Sequence, residues 1–175
     1  MKRLLALGVA LSVIASPVSA QTPCLNQAEA ESIALVSLPA IIRDAGRVCA
    51  ALPATSLLRR TSGPFIARYD AEADRAWPAA RQAIAKLSDP SVELLLMSDY
   101  ARPMLTSLFA PQITGRLQAR DCPTLDRLVT LLEPLPARNI AGIVVATLQY
   151  IKAEHARGAM RDAPDLPICA AKGTQ

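Results

Sequence analysis

A chain of 175 residues with 19 Lys and Arg, 15 Asp and Glu, one His and 7 Gly is long enough for one domain with a true core. So few glycines leave little material for phosphate-cradling loops, and one histidine with no C-x-x-C spacing argues against a zinc site. The basic residues are scattered and not interleaved with aromatics, which excludes a nucleic-acid face.

The first twenty residues read as a cleavable export signal. Lys2 and Arg3 open it, and Leu4 to Ile14 form an apolar run too short to span a bilayer. Pro17 then breaks the helix, and Val18-Ser19-Ala20 supplies the small residues a signal peptidase reads. The expected mature chain starts at Gln21 and is periplasmic or secreted. Pro23 stands directly before Cys24, where lipid attachment would need a small residue. Lys2 and Arg3 leave with the signal, so 17 basic residues face 15 acids in the mature chain, an excess of only +2. The remainder divides into a helical domain over 21–158 and an extended tail over 159–175.

Strand signals are absent, and Ala, Leu and Arg favour helix. Asn26 with Glu29 three residues on forms a capping box, and an apolar stripe from Ala30 to Leu52 predicts one helix over about 27–51, kinked at Pro39. Pro53 opens a short helix that stops at Gly63. Ser62 caps the next, with Pro64 in its first turn, an inner face from Phe65 to Leu87, and a kink at Pro78. Asp89-Pro90 starts a helix through Met97 and Ala101. Pro103 and Pro111 divide the stretch to Ala119 into two short helices. Asp121 caps a helix through Leu132, which the Glu133-Pro134-Leu135-Pro136 turn ends.

From Ile140 to Ile151 nearly every residue is apolar, so this helix is expected at the centre, with Ile143, Val144 and Leu148 all buried. The rival reading leaves this stretch exposed, as a docking surface for a membrane or a partner. Gly158 marks its end, after Lys152, His155 and Arg157. The expected fold is therefore all-α: a single bundle of short, proline-kinked helices around a central C-terminal hydrophobic helix, with an extended C-terminal strap.

The four cysteines, Cys24, Cys49, Cys122 and Cys169, are an even count in an exported chain and suggest two disulfides. A single helix over 27–51 holds its ends ~35 Å apart at ~1.5 Å per residue, whereas bridged Cα atoms lie within ~7 Å. Cys24–Cys49 is then excluded. Two connectivities remain: Cys24–Cys169 with Cys49–Cys122, which we prefer because chain ends are often neighbours, and Cys24–Cys122 with Cys49–Cys169. A hairpin at Pro39 would instead allow Cys24–Cys49 with Cys122–Cys169.

Candidate chemistry is sparse. His155 is the only ordinary neutral-pH proton carrier, but its basic last turn already accounts for it. Asp70 and Asp74 share a helix face beside Glu72, too few ligands for calcium and surrounded by Arg68, Arg75 and Arg81. Trp77 is either a packing residue or the wall of a ligand cleft between kinked helices. Arg59-Arg60 could meet a phosphate or simply cap a helix end. No catalytic residue, metal site or cofactor is assigned. The expected function is a non-enzymatic binding or envelope-interaction module, with an envelope protein or a small apolar ligand as its partner. The alternatives are a hydrolase assembled from distant residues such as His155 and Asp70, and a carrier using the cleft near Trp77.

Overall fold

A computed structural model describes residues 23–159 and 167–169. The expected signal over 1–20 and most of the tail over 159–175 lie outside those residues. Among the described residues six α-helices pack together, and the only pairing of extended backbone is one isolated bridge.

Helix α1 (Gln27–Val48) starts where the capping box places it. The Asn26 side chain accepts from the Glu29 N–H at 2.9 Å, and the Glu29 carboxylate accepts from the Asn26 N–H at 2.8 Å. The helix runs through a buried Pro39 as one element, so the hairpin alternative does not arise. The next stretch departs from expectation: Pro53 opens no helix, and only a 3-10 turn forms at Leu57–Arg59. This turn lies so close on α1 that a Cβ at Gly46 would sit 2.4 Å from the Leu58 carbonyl oxygen.

Helix α2 (Pro64–Leu87) has proline in its first turn, and its cap is Gly63 at φ 82°, not the Ser62 side chain. Helix α3 (Ser91–Leu96) is shorter than expected and stops before Ala101. Helix α4 (Ala101–Thr114) corrects the division at prolines. Pro103 falls in its first turn, where an N–H has no helical partner, and Pro111 falls in its last. Pro103 costs no helical hydrogen bond, and Pro111 costs only the one its N–H would have donated to the Ser107 carbonyl, without ending the helix. A 3-10 turn at Ala119–Asp121 leads into α5 (Cys122–Leu132). The Asp121 carboxylate accepts from the Gln118 N–H at 3.0 Å and makes no capping bond to α5. Helix α6 (Ala137–Ala156) ends as its sequence implies. Gly158 adopts φ 79°, its N–H reaches the His155 carbonyl, and the Ala159 N–H reaches the Glu154 carbonyl, the two bonds of a Schellman stop.

The expectation of a central C-terminal helix is overturned. Helix α1 holds the middle and packs against α2, α4 and α6. Its Leu35, Leu38 and Ile42 meet Phe65, Ile66 and Tyr69 of α2 and Ala137, Ile140 and Ala141 of α6. Helix α6 buries only the stripe Ala137, Ile140, Ala141 and Val145. Ile143 is 46% exposed and Val144 37%, and Leu148 is half-buried. The physical reason is space: α6 lies on one flank of α1, so one side of it meets helices and the other meets solvent.

Two disulfides join the elements. Cys24 pairs with Cys169 and Cys49 with Cys122, at Cα separations of 5.0 and 5.5 Å. Beside the first, Leu25 and Ile168 form the isolated parallel bridge, and the Lys152 ammonium donates to the Ile168 carbonyl at 2.8 Å. The strap at residues 167–169 is therefore held by α6 as well as by the chain start.

Candidate functional site

Helix α4 is apolar on most of its circumference yet packs chiefly on α1. Side chains four apart in a helix lie one above the other. Tyr100, Met104 and Leu108 form one such row, and Phe109 and Ile113 form the next, above a half-buried Leu105. Tyr100 is 80% exposed, Leu108 59% and Ile113 57%, and Met104 and Phe109 are also exposed. Leu94 and Met97 add further exposed apolar side chains just before α4. Eight exposed large apolar side chains fall between Leu94 and Ile113. Over 91–116 the charged residues are Glu93, Asp99, Arg102 and Arg116, and the Arg102 guanidinium is ion-paired with Asp74 of α2.

Beside this face lies a shallow basin of about 550 Å³, lined by Trp77 and Arg81 of α2, Met97 to Asp99, and Arg102, Pro103 and Thr106 of α4. The cleft expected at Trp77 is present, but its walls are largely polar. Beneath Trp77 the seam between α1, α2 and α4 closes to about 10 Å³ among Ile33, Val36, Ala80, Leu105 and Phe109, so the basin has a closed apolar floor.

The acids of α2 are structural clasps. Asp70 pairs with Arg43 of α1 at 2.7 Å, Asp74 with Arg102 of α4, and Glu72 with Arg75 at 2.6 Å and with Arg138 of α6 at 3.6 Å. The Arg75 guanidinium holds the Glu72 carboxyl below the usual carboxylate range. Asp70 is remote from His155. Val145 packs beside Ala83, Asp70 lies thirteen residues before Ala83, and His155 ten residues after Val145, which places them ~30 Å apart along the bundle. The hydrolase pairing of these two residues is therefore not brought together. Arg59 donates to the Leu52 carbonyl at 3.2 Å and Arg60 to the Thr55 carbonyl at 3.3 Å, which accounts for both guanidinium groups locally. Among the described residues no group of three or more His, Cys, Asp and Glu could hold a metal ion, and no helix is long and apolar enough to cross a membrane.

The outer rows of α4 were not expected from the sequence, because an apolar helix reads first as core. Their signal was the lack of any broad polar face in residues 101–114. Together these features define the class of the molecule, a disulfide-tied six-helix bundle with an apolar outer helix. Comparison with protein-family models, with curated proteins and with solved structures finds no match for the chain.

Proposed function

We propose that this protein is a non-enzymatic, exported binding module that docks an envelope protein on the outer face of α4. The observation that carries the reading is the run of exposed apolar side chains at and along α4, Tyr100, Met104, Leu108, Phe109 and Ile113. Contiguous apolar surface of this extent on a small domain marks an interaction site. The charges around it are two acids and two arginines, so it lacks the cationic rim that would draw a helix onto an anionic membrane. A protein surface of similar low charge fits it better. Export is supported by the N-terminal pattern of the sequence, and two disulfides fit an oxidising compartment.

A photo-crosslinking residue at Leu108, compared with one at the exposed Gln82, tests the reading in intact envelopes. A discrete protein adduct at 108 and none at 82 is expected, and Leu108→Glu with Ile113→Glu should abolish it without lowering the melting midpoint. Adducts to lipid alone, or only to a second copy of the chain, would replace the docking reading. No adduct at all would remove it.

A further inference from the structure

We infer that the basin at Trp77 binds a small zwitterion of the amino-acid type, with its carboxylate on Arg81, its ammonium at Asp99 and its apolar part against the indole. Arg81 and Asp99 line the same cavity. Neither makes an ion pair or hydrogen bond among the described residues, and they do not pair with each other. By contrast, the acids Asp70, Glu72 and Asp74 of α2 are clasped to other helices. Two opposite charges that face one cavity without meeting leave room for a ligand that carries both. Arg102 also lines the basin, but Asp74 already neutralises it. The Ser98 and Thr106 hydroxyls donate back to the Leu95 and Arg102 carbonyls, so they offer acceptor lone pairs to an ammonium group. Trp77 and Met97 supply the apolar wall, and a ring face also favours a neighbouring cation. The volume of about 550 Å³ lies within the ~300–1,000 Å³ of small-molecule sites. A purely apolar ligand would leave both charges without a partner, and a simple anion would leave Asp99 facing it. This inference stands apart from the docking reading, since it uses the basin and not the outer rows of α4.

Trp77 is the only tryptophan of the chain, so its emission reports this site alone. The probe is L-phenylalanine, set against 3-phenylpropionate, which lacks the ammonium, and phenethylamine, which lacks the carboxylate. Saturable change in Trp77 emission is expected with phenylalanine, with at least tenfold weaker response to each analogue. Arg81→Gln and Asp99→Asn should each weaken phenylalanine binding at least tenfold, with melting midpoints unchanged because neither side chain fastens the fold. Calorimetric titration supplies a second readout that does not depend on the indole. No saturable response by either method would overturn the inference, and so would equal response to all three compounds.

Discussion

Glu29 joins two structural tasks in one carboxylate. It accepts the Asn26 N–H that completes the cap of α1, and it takes the Lys86 ammonium from the last turn of α2 at 2.9 and 3.1 Å. The Lys86 hydrogen bond, and after it the Asn26 backbone bond, hold the Glu29 carboxyl below the usual glutamate value. A depressed folded-state pKa means that the unfolded chain binds more protons as the solution is acidified. The stabilisation is therefore fully present above the unfolded value of about 4.3 and is lost as pH falls through the lower folded value. We expect the melting midpoint to drop on acidification below about pH 5, and to drop less in Glu29→Gln, which has nothing to protonate. Parallel melts from neutral pH downward check this; identical slopes in both proteins would mean the clasp contributes nothing. Half of this arrangement was legible in the sequence, because the capping box is local. The Lys86 contact was not, since it depends on how α2 returns beside α1. The same limit applies to the basin: Trp77 stood out as a lone tryptophan, but Arg81 and Asp99 acquire meaning only when α2 and the α3–α4 turn face one cavity.

Helix α6 separates sequence pattern from position in the fold. Its all-round apolar run implied burial on every side, yet Val145 is 1% exposed while Val144, its neighbour in the chain, is 37% exposed. We expect Val145→Ala to cost about 1–2 kcal/mol through lost burial and the cavity left against Ala83 and Leu25. Val144→Ala should shift the melting midpoint hardly at all, because water already reaches that side chain. Equal losses in the two variants would place α6 back in the centre. Helix boundaries set by the Asn26–Glu29 box, by Pro64 and by Gly158 were legible because each acts within one turn of chain. The unity of α4 was not, since a proline is tolerated or disruptive according to its distance from a helix end that the sequence leaves unmarked. Which helix takes the middle was also hidden. Gly46 of α1 admits the 3-10 turn at Leu57–Arg59, a close approach that only the fold reveals.

At the scale of the whole molecule, the two disulfides enclose one another: Cys24–Cys169 spans 145 residues of separation and Cys49–Cys122 spans 73 within it. Long loops gain most from closure, because the unfolded chain loses most freedom. Replacing Cys49 and Cys122 together by Ala should cost about 2–5 kcal/mol, read as a lower denaturation midpoint, and reduction of the native protein should act in the same direction. An unchanged midpoint after full reduction would show that the helices alone carry the stability. The outer bridge has a mechanical meaning as well. Residues 24 and 169 are 5.0 Å apart between Cα atoms and covalently joined, so tension arriving through the flanking chain passes across a single S–S bond. None of it reaches α1 to α6. While that bond is oxidised, a pull on the flanking chain is carried past the bundle without lengthening it; once the bond is reduced, the same pull is borne by the helices.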